Sequence, residues 1–225
     1  MFYDLHVKAD VEKAAEMAKK LGFSGIGLIV PWEKRQEVPN MRERAKNTKG
    51  IDISFGVELS GKASDIQKIA RSIRRQYELV LAKGGTEETN RTVLETPEVD
   101  ILVNTNLENG QPGINHILAR LGAKNSVAIC FDFREVLQSV KKTRSELLSS
   151  LIETARFVRK YKCPFVLSSG ALNEWDMRSP SELIAFGKFL GFDERQCKKA
   201  LSGEILRENR KRLSGKWIMP GVEIE

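Results

Sequence analysis

The chain has 225 residues, 41% hydrophobic and 30% charged, which suits one large soluble domain with a sizeable core or two small ones. No apolar run approaches the length of a membrane-spanning helix, and the N-terminus lacks a signal-peptide pattern, so we expect no membrane partner. The net charge is +7, and most of the excess lies in residues 133–225, which hold 18 basic and 12 acidic residues. A basic half indicates an anionic partner, most often nucleic acid, although a solvated lysine-rich surface gives the same balance.

The three cysteines are odd in number and widely spaced, at Cys130, Cys163 and Cys197. Two of them lie beside apolar strand-like runs, where a buried free thiol is the usual state. Unpaired thiols are typical of a reducing compartment. We therefore expect a cytoplasmic protein.

Short apolar runs alternate with helical segments along the chain. We predict strands over residues 2–7, 24–30, 51–59, 77–82, 100–103, 126–131 and 165–167. We predict helices over residues 10–21, 32–46, 64–75, 86–94, 116–123, 133–160, 180–190, 193–201 and 204–213. Pro39 crosses the second helical segment, and the long segment from residue 133 can be continuous or interrupted near residues 139–144.

The alternation of strands and helices predicts a parallel α/β fold, because the strands are short, continuous and rich in Val, Ile and Leu. An open doubly wound sheet and a β/α barrel both fit this pattern. Seven or eight units at an even spacing favour a single TIM-like barrel, irregular at its closure because no eighth strand is evident. We predict one domain over residues 1–216 and a C-terminal tail over residues 217–225.

A helix start signal follows the seventh strand, in the stretch LSSGALNEWDMRSP. Ser179 is a predicted N-cap, Pro180 occupies the first helical position, and Glu182 completes a capping box. Arg178 directly precedes this helix N-terminus, where free backbone N–H groups and a guanidinium together suit a phosphate. A plain strand-to-helix turn with a solvated arginine is the alternative interpretation.

Cations are frequent in the loops that would follow the strands, the end of a barrel where function collects. We predict a phosphate-binding surface there, made of Lys8, Lys34, Arg35, Lys83, Arg91, His116, Arg134 and Arg178. The last helix offers a second basic patch with Arg207, Arg210 and Lys211. The alternative for that helix is an ordinary amphipathic outer helix, with Ile205 and Leu206 turned inward.

Three stretches together resemble the archaeal ribonuclease P protein component 3 family, the counterpart of the thirty-kilodalton eukaryotic subunit. They are YDLHVK at the start, the strand pair GIGLIV and IDISFGVELS, and LSSGALNEWDMRSPSELIAFGKFLGF. The resemblance covers the chain from residue 1 to about residue 212. It implies a barrel related to the polymerase-and-histidinol-phosphatase phosphoesterases.

The same resemblance implies a function in tRNA processing. Members of the family are non-catalytic subunits that bind the ribonuclease P RNA together with a second small protein subunit. They assist removal of the 5′ leader from precursor tRNA, which they would meet only indirectly. The resemblance implies no catalytic residue, metal or cofactor in the protein itself, because the RNA component uses the Mg²⁺.

Two other functions stay open from the sequence. A metal-dependent phosphoesterase of the related superfamily would carry His-x-His after the first strand, whereas this chain reads His6-Val7-Lys8. An ammonium at the second position repels a divalent cation, although acidic residues such as Asp4 and Glu58 could bind Mg²⁺. A scaffold whose main contact is another protein is the third function, and no residue of the sequence identifies its interface.

Overall fold

The computed structural model describes residues 1–107, 110–214, 217–219 and 222–223. Within these residues, seven parallel strands follow one another in chain order around a nearly closed barrel, each hydrogen-bonded to the next. The predicted TIM-like α/β barrel is therefore confirmed. The strands are β1 (Tyr3–Val7), β2 (Gly25–Pro31), β3 (Asp52–Leu59), β4 (Leu79–Lys83), β5 (Ile101–Val103), β6 (Ala128–Asp132) and β7 (Phe165–Ser168).

Helices cover the outside of the sheet. They are α1 (Val11–Leu21), α2 (Val38–Ala45), α3 (Ala63–Ile73), α4 (Glu87–Leu94), α5 (His116–Asn125), α6 (Phe133–Gln138), α7 (Lys141–Lys160), α8 (Pro180–Phe189), α9 (Glu194–Ala200) and α10 (Glu204–Leu213). Two 3₁₀ helices, Trp32–Glu37 and Glu174–Asp176, lie in the loops after β2 and β7.

Both faces of each strand are buried, as the apolar composition predicts. In β4, Leu79 and Leu81 point into the barrel, whereas Val80 and Ala82 pack against the outer helices. This alternation follows from the two-residue period of a strand, which sends successive side chains to opposite faces. The three cysteines are buried and free, which confirms that prediction.

The barrel closes between β7 and β1 through side chains, not through a strand ladder. Ser168 and Ser169 at the end of β7 both bond the buried carboxylate of Asp4 in β1, with Ser168 Oγ 2.6 Å from Asp4 Oδ1. Just beyond, the Lys8 backbone N–H donates to the carbonyl of Ala171 at 2.7 Å. These contacts account for the irregular closure of the barrel that the sequence predicts.

Helix α10 closes the opposite end of the barrel. Leu206 is buried among the inward-facing residues of the strands, and the Asn209 amide donates to the carbonyl of Glu78 at 2.8 Å. The guanidinium of Arg210 bonds both oxygens of Asp52 at 2.7 and 2.8 Å and Glu78 Oε1 at 2.7 Å. Ile205 and Leu206 are turned inward as the amphipathic alternative predicts, but the helix covers the N-terminal end of the barrel and not its outer wall.

Several predicted boundaries differ from the structure. The segment after β2 divides into a 3₁₀ helix and α2, and Pro39 lies in the first turn of α2, where a missing N–H costs nothing. The segment from residue 133 is interrupted, with α6 and α7 as separate helices. The predicted boundary at residue 216 lies outside the described residues, and the predicted tail contains a two-stranded antiparallel hairpin, β8 (Trp217–Met219) and β9 (Val222–Glu223).

None of the described helices is both long and apolar enough to cross a bilayer.

Candidate functional site

A buried ionic cluster occupies the mouth of the barrel, at the C-terminal ends of β1, β3 and β6. His6 lies at its centre, with Nδ1 2.9 Å from Asp132 Oδ2 and Nε2 3.1 Å from Glu58 Oε2. Lys8, which directly follows β1, also reaches Glu58, since its ammonium donates to Glu58 Oε1 at 2.7 Å. His6, Glu58 and Asp132 are all buried.

The electrostatics of this cluster favour a protonated histidine. Burial by itself lowers the pKa of His6, but the charge and hydrogen bond of Asp132 and those of Glu58 raise it to about 9. Burial alone would raise the pKa of Glu58. The neighbouring His6 and Lys8 cations have the larger, opposite effect and lower that pKa to about 2. In a protonated His6 each ring nitrogen donates a hydrogen bond, Nδ1 to Asp132 and Nε2 to Glu58.

The mouth of the barrel also holds a group of candidate metal ligands. Among the described residues, one ligand atom each of His6, Cys130 and Asp132 lie within 4.8 Å of one another. A metal ligand must be deprotonated, yet both nitrogens of His6 are engaged with carboxylates. Burial, followed by the charge of Asp132, raises the pKa of the Cys130 thiol, which favours the neutral form that binds metal poorly. A metal ion at this place would have to displace a carboxylate from one ring nitrogen of His6.

A second acidic group borders the cluster from α6. Burial and then the charge of Asp132 raise the pKa of Glu135 to about 7, although the His6, Arg134 and Lys83 cations oppose this shift. The neighbouring Arg134 has its Nε 3.8 Å from Asp176 Oδ2, and that Nε is buried without a hydrogen-bond partner among the described residues. The rim of the mouth therefore mixes acidic and basic groups.

The structure gives internal partners to more than half of the predicted RNA-binding cations. Lys8 pairs with Glu58, Arg134 with Asp176, Arg91 with Glu95, Arg210 with Asp52 and Glu78, and Lys211 with Glu208. Arg35 stacks its guanidinium 4.2 Å over the ring of Trp32, and Arg178 Nη1 donates to the carbonyls of Trp175 and Met177 at 3.0 and 2.8 Å.

The side chains of the other predicted cations make no hydrogen bond or ion pair in the part of the chain that the structure describes. These are Lys34, Lys83, His116 and Arg207. The first three lie on the mouth side of the barrel, after β2, at the end of β4 and at the start of α5, whereas Arg207 is on α10 at the other end. The cations of the loops and those of α10 therefore lie at opposite ends of the barrel, as two separate patches, and RNA binding by either patch stays a prediction.

The predicted capping box at α8 is confirmed. Glu182 N donates to Ser179 Oγ at 3.3 Å, and the Ser179 backbone N–H donates to Glu182 Oε2 at 2.8 Å. The carboxylate of Glu182 therefore already lies at the helix N-terminus, where an anion would otherwise be attracted. Arg178 fixes the preceding turn, and phosphate binding by Arg178 stays a prediction.

Trp175, which was not among the residues predicted from the sequence, is 75% exposed at the mouth. Asn173 caps its 3₁₀ turn by accepting from the N–H of Trp175 at 2.9 Å, and the Arg178 guanidinium binds the Trp175 carbonyl. The indole is thus presented outward from a fixed turn. An aromatic residue between polar neighbours in the loop was the signal that could have identified it.

Comparisons with known proteins agree in one family. The family model described as RNase P subunit p30 matches residues 1–214. Ribonuclease P protein component 3 of Methanosarcina mazei is 32% identical over 233 residues, which cover 99% of this chain and 95% of that protein. The same component of Methanosarcina barkeri is 33% identical and covers 93% of this chain and 90% of that protein.

Solved structures share the barrel. One chain of a cryo-EM structure of archaeal ribonuclease P with mature tRNA superimposes with a TM-score of 0.84 at 23% identity, covering 99% of this chain and 97% of that chain. A putative prolidase from Bifidobacterium longum gives a TM-score of 0.60 at 12% identity, covering 92% and 69%. Both show likeness of fold.

Proposed function

The chain belongs to the RNase P subunit p30 family, and from this premise we propose that it is a non-catalytic protein subunit of ribonuclease P, the tRNA-processing nuclease. Its role is to bind the ribonuclease P RNA beside a second small protein subunit and to assist removal of the 5′ leader. It meets precursor tRNA only indirectly and works in the cytoplasm. The 99% coverage of this chain in the match to the Methanosarcina mazei protein supports assignment of this role to the whole chain.

The observation that carries the non-catalytic role is the engagement of both ring nitrogens of His6. Nδ1 meets Asp132 and Nε2 meets Glu58, so neither nitrogen has a lone pair free for a metal or for a substrate proton. The Lys8 ammonium occupies the other oxygen of Glu58, where a His-x-His metal site would place its second imidazole. These contacts favour a protein that holds no metal of its own.

Assistance to a catalytic RNA follows from electrostatics. A folded RNA brings phosphates together against their mutual repulsion, and protein cations reduce that repulsion. The net charge of +7 supplies this attraction without a base-specific contact. Trp175 adds an exposed aromatic face on which an unpaired base can stack. With the protein bound, the RNA should need less Mg²⁺.

The test measures 5′-leader release from precursor tRNA by the ribonuclease P RNA at limiting Mg²⁺. The chain and its companion subunit are added together, singly or not at all, and a control contains protein without RNA. We expect release that requires the RNA, and that rises at low Mg²⁺ only when this chain joins its companion.

Three outcomes would overturn the proposal. A Mg²⁺ dependence of leader release that the protein does not change would contradict the helper role. Leader release by the protein alone, abolished by EDTA, would establish a metal-dependent phosphoesterase, with His6 and the acidic strand ends as the place to look. A chain that binds the companion subunit but neither binds the RNA nor changes cleavage would be a protein scaffold.

A further inference from the structure

A cavity of about 350 Å³ opens at the N-terminal end of the barrel, opposite the mouth. Its walls come from the end of α3, the turn before β5, the end of α5 and the closing helix α10. These elements all precede strands or plug the barrel, so the cavity lies at the same end as the basic helix α10.

The walls of this cavity are strongly basic. Arg74, Arg75, Lys124 and Arg212 line it, and Glu98 is the one carboxylate among its lining residues. Arg74 is committed to the fold, because its Nη2 bonds Asp100 Oδ1 at 2.9 Å and Asn209 Oδ1 at 2.7 Å.

The side chains of the other three cations, Arg75, Lys124 and Arg212, make no hydrogen bond and no ion pair within the described residues. The charge of Arg212 also acts on the buried carboxyl group of Asp100, where it opposes the rise in pKa that burial causes. At the mouth, Lys8 and Arg134 each have a carboxylate partner, whereas the side chains of Lys34 and Lys83 have none among the described residues. Three like charges around one cavity repel one another, so an anion bound between them relieves that repulsion as well as gaining its own attraction.

The basic wall continues beyond the cavity. A second cavity of about 660 Å³ lies beside it and shares Ser126, Asn209 and Arg212. Lys162 lines the second cavity, and its side chain also makes no hydrogen bond or ion pair in the described part of the chain. Several unpaired cations in adjoining cavities fit a chain of repeating phosphates better than they fit one isolated anion.

We propose that Arg75, Lys124 and Arg212 form a phosphate-binding site for the backbone of the ribonuclease P RNA, at the end of the barrel opposite the mouth. This inference rests on the proposed function, which supplies RNA as the partner. Two guanidinium groups can each donate two parallel hydrogen bonds to a phosphate, and the lysine adds a point charge. The contact is independent of base identity and sensitive to salt.

The test uses the full chain and the ribonuclease P RNA, with affinity measured by fluorescence anisotropy across a series of salt concentrations. The variant carries Arg75→Gln, Lys124→Gln and Arg212→Gln. The matched control carries Lys19→Gln, Lys49→Gln and Arg156→Gln, three exposed cations that line neither cavity and whose side chains make no hydrogen bond or ion pair within the described residues. Urea unfolding shows whether each variant is folded, and the double variant Arg75→Gln/Lys124→Gln alters only exposed side chains.

We expect the triple variant to bind RNA about tenfold or more weakly at 0.1 M salt, and the slope of log affinity against log salt to fall by about 2 to 3. The control should change both quantities much less. A triple variant equal to the control overturns this inference and leaves the proposed function intact, provided that the wild-type chain binds the RNA. Wild-type protein that does not bind the RNA even in the presence of its companion subunit contradicts the proposed function itself. Loss of companion-subunit binding with RNA affinity unchanged assigns the site to an acidic protein surface and overturns the inference.

Discussion

Ser168 and Asp4 join the last strand of the barrel to the first across 164 residues of sequence, with Ser168 Oγ donating to Asp4 Oδ1 at 2.6 Å. Ser169 supplies a second hydroxyl to the same carboxylate. All three side chains are buried, so these hydrogen bonds form where water cannot replace them. The closure of the barrel thus depends on a few polar contacts, because β7 and β1 are not joined by a backbone ladder.

The double substitution Ser168→Ala/Ser169→Ala should lower the free energy of unfolding by about 2 to 4 kcal/mol. It leaves the buried carboxylate of Asp4 without its hydroxyl donors, and a buried acceptor that loses its partner is costly. Urea denaturation measures the change. Ser60→Ala, an exposed serine after β3, is the control and should change the free energy by less than about 0.5 kcal/mol. Equal stability of the two variants would contradict the closure role.

His6→Ala should destabilise the fold by about 3 to 5 kcal/mol, because it removes the cation between two buried carboxylates. The other histidine of the chain, His116, is exposed and makes no hydrogen bond or ion pair with the described residues, so His116→Ala is a matched control. Thermal or urea unfolding of the two variants measures the difference in their stability. A His6 variant as stable as the His116 variant would mean that the mouth cluster does not support the fold.

The free energy of unfolding should fall by about 3 kcal/mol as the pH rises from 6.5 to 9. The pKa of His6 is raised to about 9 in the folded protein and is near 6.5 in the unfolded chain, so the folded state binds the proton more tightly and loses that advantage as the proton leaves. Urea unfolding at several pH values measures the slope.

His6→Gln should remove most of the slope between pH 6.5 and 9. Glu135 contributes at lower pH, because its raised pKa, about 7 against 4.5, gives stability that is lost between pH 4.5 and 7. Glu135→Gln should therefore flatten the lower window and leave the upper one. A His6→Gln variant with the wild-type slope would show that another group titrates there.

Arg210→Ala should lower the free energy of unfolding by about 2 kcal/mol, since its guanidinium holds Asp52 and Glu78 to α10. Partial exposure of these groups keeps the effect below that of a fully buried pair. Arg207→Ala, on the same helix and without a hydrogen bond or ion pair among the described residues, should change stability by less than about 0.5 kcal/mol. Denaturation midpoints of the two variants compare the two roles directly, and similar losses would contradict them.

Removal of divalent cations should leave the stability of the isolated chain unchanged. The donors of the mouth are engaged with one another, and a ligand that does not bind the native state cannot stabilise it. Unfolding midpoints are measured after EDTA treatment and after addition of Mn²⁺ or Zn²⁺ to the dialysed protein. A midpoint that rises with metal concentration would establish a metal site and reopen the phosphoesterase function.

Local chemistry was enough to predict much of this architecture. The apolar runs define seven buried strands, and the order of strands and helices leads to a parallel barrel because parallel strands need crossover helices. The start of α8 was also predictable, because the capping box of Ser179 and Glu182 depends only on residues three positions apart. The sequence also shows directly that Lys8 stands where a His-x-His motif has its second histidine.

The tertiary structure alone decided which charges are free. Lys8 and Glu58 lie 50 residues apart, and Arg210 and Asp52 lie 158 apart, so no local pattern reveals that these cations have counterions. The reverse holds for Arg75, Lys124 and Arg212, which three separate elements bring to one cavity. Residue types and their spacing determine strands, helices and net charge, whereas ion pairing depends on distances of a few ångströms that only the folded chain sets.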